Sequence, residues 1–419
     1  DKKEVHIHTA SKTGIPSSYI KHKGYRELFS WIVLNDIESL AMHQFSKTEN
    51  ESMTIEFLES HGLDIEHAKS VTSELKGKLK VAGFYPLATT QYSYHNDEIF
   101  PTDIHLCLTR GCNLRCTHCY ISADYEQVGE LDLSSWKIGF TSLFQFIKNP
   151  NITISGGEPT QKKFLKDLIL FLNEYANVTL FTNGKRNIDD LEPYLSEVQV
   201  SLDGISETTN DPIRGLGSFV KIEKFIKNFP VKSKLTVAIT VMAHNFDEIK
   251  SGLLDFIDRN ELSVKNIRLN ASLENEGRAK DLNKNFTDFH YNNSIEIAEF
   301  VSSISNTTKD GERFVNKLNC GIGLSLGIDS NGDIYPCDEF INKLGNIMHL
   351  NIESVLKKSV QVNRDTQINN MPYCQTCDLK NICLGGCKAK NLALKGSYYI
   401  PDCNADKKRV KYTALAYGI

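Results

Sequence analysis

From about residue 103 to 305, short apolar runs alternate with longer amphipathic stretches. The runs Asp103–Thr109, Asn151–Ser155, Val178–Thr182, Val198–Leu202, Leu235–Met242 and Ile267–Ala271 predict strands. Between two of them, Phe164–Tyr175 places Phe164, Leu165, Leu168, Ile169 and Leu172 at helical spacing. Six β/α repeats predict an α/β fold, with a parallel sheet and helices outside it. Ligands in such sheets sit at the carboxyl ends of the strands.

The first hundred residues follow a different pattern. Tyr19–His22, Leu28–Leu34 and Leu40–Phe45 predict three short strands, and Met53–Ser60 and Ile65–Ala82 predict helices, the second capped by Asp64. This segment holds eleven Lys/Arg and fourteen Asp/Glu, a net charge of −3.

A chain of 419 residues suggests two to three domains. The overall charge of −4 gives no basic excess for a nucleic-acid surface. No run approaches the roughly 18 apolar residues of a membrane span; Ser30–Leu34 is typical. No signal-peptide core follows Asp1-Lys2-Lys3-Glu4. What changes the picture is eleven cysteines, odd in number and strongly clustered. A disulfide scaffold would be small and secreted, so metal is the better reading.

Cys107, Cys112, Cys116 and Cys119 come first, then two hundred residues without cysteine, then Cys320, Cys337, Cys374, Cys377, Cys383, Cys387 and Cys403. Three thiolates at Cys112-x3-Cys116-x2-Cys119 can hold three corners of a four-iron cluster, which takes four thiolates when fully ligated. One iron is left open for substrate or cofactor, as in a catalytic zinc site. A zinc knuckle borrowing His118 is the competing reading. Cys107, five residues upstream within a strand, reads as a small buried hydrophobe.

The segment Cys112-x3-Cys116-Thr117-His118-Cys119 resembles the signature loop of the radical S-adenosylmethionine (radical SAM) enzymes, with His118 at the family's aromatic or His position. The resemblance implies a partial (β/α)6 barrel and a cluster whose unique iron chelates SAM. It also implies a 5′-deoxyadenosyl radical that abstracts hydrogen from an unactivated C–H bond. Gly156-Gly157-Glu158-Pro159 matches the motif that meets the SAM amino group. Thr182-Asn183, and Ser201 with Asp203, resemble the next strand ends, where polar side chains meet SAM. Arg214, in Asp211-Pro212-Ile213-Arg214-Gly215, resembles an arginine that reaches the SAM carboxylate.

The later cysteines resemble the SPASM domain: Cys320-x11-Gly332-x4-Cys337, then Cys374-x2-Cys377-x5-Cys383-x3-Cys387, then Cys403. A pair of zinc ribbons is the bland alternative. The resemblance implies two auxiliary four-iron clusters, the nearer held by Cys320, Cys337 and Cys387, the farther by Cys374, Cys377, Cys383 and Cys403. The nearer set is one thiolate short, because Gly321–Leu326 lacks the additional Cys of some relatives. Its open iron takes either a non-Cys protein ligand or substrate. Asp338, directly after Cys337, matches a residue considered as a general base in the similar sulfatase maturases. The competing role for Asp338 is to bind backbone amides in its turn.

Three strands followed by helices resembles the winged-helix leader-recognition module of ribosomal-peptide maturases. Such a module binds a leader by β-augmentation, and Lys69, Lys76 and Lys80 would offer it a cationic side. Negative charge counts against a DNA-binding version. The resulting expectation is a leader module over 1–95, a radical SAM barrel over 96–309 and a SPASM domain over 310–419. The function implied is radical modification of a ribosomal precursor peptide, forming a thioether or carbon–carbon cross-link. The partners implied are the precursor, and flavodoxin or ferredoxin as reductant, in an anaerobic cytoplasm without nucleic acid or membrane. The rivals are a sulfatase-maturase-like oxidase and a zinc-ribbon winged-helix adaptor.

Overall fold

The computed structural model describes residues 6–8, 32–34, 36–48, 50–81, 100–124, 129–270, 277–281, 319–377 and 383–403. The chain divides into two compact units, one of residues 99–305 and 321–365, the other of 1–98, 306–320 and 366–419.

The first unit is built on a nine-stranded sheet in the order β11-β10-β9-β3-β4-β5-β6-β7-β8. β3 (Asp103–Thr109), β4 (Asn151–Gly156), β5 (Asn177–Thr182), β6 (Glu197–Leu202), β7 (Leu235–Thr240) and β8 (Ile267–Asn270) run parallel in chain order. These are the six expected strands, with ends moved by at most two residues. Their sequences alternate for a physical reason. Ile104, Leu106 and Leu108, Ile152 and Ile154, Val178 and Leu180, and Val198, Val200 and Leu202 enter one apolar core. The outer helices complete that core with Trp136 and Phe140, Leu168 and Leu172, Ile222 and Ile226, and Leu253 and Phe256. Each such side chain contributes about 1.5–3 kcal/mol when fully buried. The intervening positions, His105, Ser155, Phe181, Gln199, Ser201 and Thr240, line a cavity instead. Parallel strands buried in apolar surroundings on both faces read as unbroken apolar runs; a polar inner face restores the alternation.

The expected helix over Phe164–Tyr175 forms as Leu165–Asn173. The repeat breaks once: β5 and β6 are joined by the 3-10 turn Glu192–Tyr194 and no α-helix. Three strands lay outside the sequence reading. β9 (Ser325–Ile328) pairs parallel with β3 on its free side, and β10 (Asp333–Tyr335) and β11 (Gly345–Asn346) continue antiparallel.

In the second unit, β1 (His6–His8) pairs antiparallel with β2 (Ile32–Leu34). Helices Asp36–Thr48, Glu51–Ser60 and Ile65–Val81 pack Ala41, Met42, Phe45, Leu58, Ala68, Val71, Leu75 and Leu79 into a separate core. Asp64 caps the third helix, accepting the His67 amide at 2.9 Å. Leu40–Phe45 is helical, not the strand expected. Its buried positions Glu38, Ala41, Met42 and Phe45 fall at i, i+3, i+4 and i+7, a helical stripe. The expected strand Tyr19–His22 lies outside the described residues, as do residues 28–31 of the expected strand Leu28–Leu34. Among the described residues, no helix is long and apolar enough to cross a membrane.

Candidate active site

The end of β3 feeds the cysteine loop, and three fastenings hold its stem. Glu130 accepts hydrogen bonds from the Thr109 hydroxyl (2.9 Å) and the Arg110 amide (2.8 Å), and pairs with Lys162. Arg110 forks onto Asp329, just past β9, with contacts of 3.0 Å from Nε and 2.7 Å from Nη2. The stem also lies against the Gly-Gly turn ending β4. The Gly157 amide donates to Thr109 O at 2.7 Å and the Glu158 amide to Gly111 O at 2.8 Å. A Cβ on Gly156, at φ +132°, would lie 2.2 Å from Thr109 O, and one on Gly157 would lie 2.2 Å from Gly111 O. The glycines thus admit a neighbouring backbone, besides lining the cavity.

Cys112, Cys116 and Cys119 face a cavity of about 630 Å³, well within the size range of ligand sites. The Leu114 amide donates to Cys112 Sγ and the Ala123 amide to Cys119 Sγ, both at 3.3 Å. Burial pushes the Cys112 thiol up to about 11, the Leu114 amide pulling the other way, and raises Cys116 as well. A metal overrides such shifts, because a coordinating thiol is deprotonated outright. Amides already aimed at the sulfurs suit an iron–sulfur cluster, whose potential depends on such bonds. Two buried polar atoms on the lining, His118 Nδ1 and Arg278 Nη2, have no hydrogen-bond partner, consistent with a polar ligand in the cavity.

Of the expected SAM contacts, His118, Gly156, Gly157, Thr182, Asn183, Ser201 and Arg214 line the cavity; Glu158 and Asp203 do not. Glu158 is fully buried, its carboxylate accepting the Thr160 amide (3.1 Å) and hydroxyl (2.6 Å), the Thr182 hydroxyl (2.9 Å) and the Asn183 amide (2.7 Å). Burial still raises it above the ordinary carboxylate range. Its oxygens fasten the end of β5. Asp203 is also fully buried, 2.6 Å from Arg214 Nε and 3.0 Å from His118 Nε2. Burial alone would raise Asp203, but the Arg214 guanidinium and His118 hold it well below the usual range. It positions two cavity residues from behind.

Sequence reasoning missed Arg278 and His105. Arg278 Nε donates to Cys116 O at 2.9 Å and Nη1 to Ala123 O at 2.8 Å, strapping the loop from both sides. His105 shares a 2.5 Å hydrogen bond with Ser155 Oγ, and its ring meets Phe181 and Phe340 edge-on. Burial lowers the His105 imidazole, and the nearby Asp338 carboxylate opposes this. Asp338 is exposed and accepts no hydrogen bond among the described residues, so it is not tied into its turn. Cys107 is buried and donates to Thr109 O at 3.6 Å, away from the cavity lining.

In the second unit, burial raises the Cys374 thiol, and its ionisable neighbours are Cys383, Lys388, Cys377 and Cys403. Cys320 and Cys387 surround Lys388 together with Cys374 and Cys383.

Three thiols on an open loop at the carboxyl edge of a parallel sheet, facing a polar cavity, define a class: enzymes that hold an iron–sulfur cluster with one iron free for a small-molecule ligand. Residues 106–255 match the model of the radical SAM superfamily, and residues 320–378 match that of the SPASM iron–sulfur cluster-binding domain. These matches give the chain a radical SAM domain followed by a SPASM domain. It is similar to mycofactocin maturase MftC of Mycobacterium tuberculosis, 26% identical over 67% of this chain and 77% of that protein. It is also similar to the subtilosin biosynthesis protein AlbA of Bacillus subtilis, 27% identical over 70% and 69% respectively. Among solved structures, Streptococcus suis SuiB bound to S-adenosylmethionine shares the fold, with a TM-score of 0.52 and 17% identity over 89% of this chain and 93% of that one.

Proposed function

We propose that the protein modifies a ribosomally made precursor peptide by abstracting hydrogen from a peptide carbon, forming a thioether or carbon–carbon cross-link. The observation that carries this reading is the cavity onto which Cys112, Cys116 and Cys119 converge beside His118, Asn183, Ser201 and Arg214. Relatives named for mycofactocin maturation and subtilosin biosynthesis support the substrate class. A SuiB structure with its precursor peptide SuiA, of the same fold with a TM-score of 0.51, is in keeping with it.

Bound SAM and a reduced cluster would supply the hydrogen-abstracting radical. Cys112, Cys116 and Cys119 would hold that cluster, Arg214 the SAM carboxylate, and His118, Thr182, Asn183 and Ser201 the rest of the molecule. Cys320, Cys337 and Cys387 would serve one auxiliary cluster, and Cys374, Cys377, Cys383 and Cys403 the other. Asp338 would accept the proton released as the substrate radical is oxidised, the auxiliary clusters supplying the acceptor for its electron; the Asp338 charge reaches His105 on the cavity lining. Asp338→Asn then keeps iron and SAM cleavage but forms little product. Residues 1–95 bind the leader, 96–309 form the catalytic barrel and 310–419 carry the auxiliary clusters. Lys69 and Lys76 pair with Glu66 and Glu51, so backbone pairing at a strand edge, not those charges, would provide most of the leader affinity. A flavodoxin or ferredoxin in an anaerobic cytoplasm delivers the electron.

The test is replacement of Cys112, Cys116 and Cys119 together by Ala. SAM cleavage should be abolished and about four irons of roughly twelve lost, by three four-iron clusters. Wild-type release of 5′-deoxyadenosine from that variant sinks the assignment.

A further inference from the structure

Lys388 opens the helix Lys388–Lys395 directly after Cys387, and no part of it reaches solvent. Lysine is almost never fully buried unless its charge is paired. Its Nζ donates to the backbone oxygens of Leu384 (2.5 Å) and Gly386 (3.4 Å). Leu384, Gly385 and Gly386 have φ of +53°, +74° and +71°, three left-handed residues in a row, uncommon for leucine. The remaining carbonyl, Gly385 O, accepts Asn391 Nδ2 at 3.0 Å. The loop between Cys383 and Cys387 therefore turns all three carbonyls onto side chains of the helix that follows it.

Two neutral carbonyls do not balance an ammonium, and among the described residues no carboxylate pairs with Lys388. Burial disfavours the Lys388 ammonium, and Cys320, Cys374, Cys383 and Cys387 oppose this. We propose that Lys388 is the internal counter-ion and positioning residue of the auxiliary clusters. Its ammonium fastens the Cys383–Cys387 loop and places one buried positive charge beside thiolates from both ligand sets. This rests on the auxiliary-cluster assignment of the proposed function. The physics is direct: a four-iron cluster on thiolates is negatively charged, and its potential follows net charge and burial. A fixed cation beside it favours the reduced, more negative state.

The test uses full-length, anaerobically reconstituted protein, with iron and sulfide counting and a potentiometric titration followed by electron paramagnetic resonance. The wild-type iron count examines the cluster assignment by itself; far fewer than about twelve irons defeats that assignment whatever Lys388 does. Lys388→Met keeps the length and removes the charge. The expected result is auxiliary-cluster signals moved to more negative potential, or loss of those clusters with the Cys112–Cys119 cluster retained. Lys388→Arg should restore what Lys388→Met loses. Asn391→Ala loosens the same loop without changing charge and should keep wild-type potentials. Full iron with unmoved potentials in Lys388→Met overturns the proposal. So does a defect that Lys388→Arg leaves uncorrected, or an equal shift in Asn391→Ala.

Discussion

Asp203 is not among the cavity's lining residues, yet it is the counter-charge behind a lining that, among the described residues, carries Arg214, Arg268 and Arg278 and no carboxylate. Asp203→Asn leaves Arg214 buried without its partner, which should cost about 3–5 kcal/mol in urea unfolding of cluster-free protein. The pH dependence follows from the sign of its shift. Asp203 is held below its unfolded value of about 3.9, so its contribution is complete above that value. It is lost as pH falls further, through the depressed folded value. Wild type should show this acid-limb loss below about pH 4, and the variant should lack it. Motif spacing located Asp203 and Glu158, but it carries no information on depth, and both are fully buried outside the lining. Arg278 had no local signal: it grips Cys116 from 162 positions away.

At the scale of elements, strands were legible because one face meets apolar helices and the other a polar cavity, so period two was written into the chain. Leu40–Phe45 was misread because six residues are too few to separate period two from 3.6 when apolar residues lie side by side. β9 is only Ser325–Ile328, too short to announce itself. A tight joint between elements is the approach of the Gly156-Gly157 turn to Thr109 and Gly111. Gly156→Ala adds a Cβ at a left-handed φ against a carbonyl. It should destabilise by about 1–3 kcal/mol and lower iron retained at Cys112–Cys119 more than iron elsewhere. Thermal unfolding and iron analysis of the same preparation check both effects.

At the scale of the whole molecule, the apolar cores are unequal. The sheet is backed by one continuous core, whereas the cysteine-rich segment has a small buried cluster of Ile368, Met371, Cys374 and Leu384. A segment with so little apolar burial depends on its metal to stay folded. Stripping iron with a chelator should raise amide hydrogen exchange across 366–403 to near-unfolded rates while β4 through β7 remain protected. Equal loss of protection in both regions would mean that the clusters are not what holds the segment together.

The Arg110–Asp329 fork joins side chains 219 positions apart, and β3 takes β9 as its second sheet neighbour. During synthesis β3 precedes β9 by more than two hundred residues, so its outer edge stays unpaired while that stretch is made. Contacts of such long range close late and slow folding, and an open strand edge is adhesive in the meantime. The loop's last fastening thus closes only once Asp329 has been made, and until then the nascent chain is a poor recipient for iron.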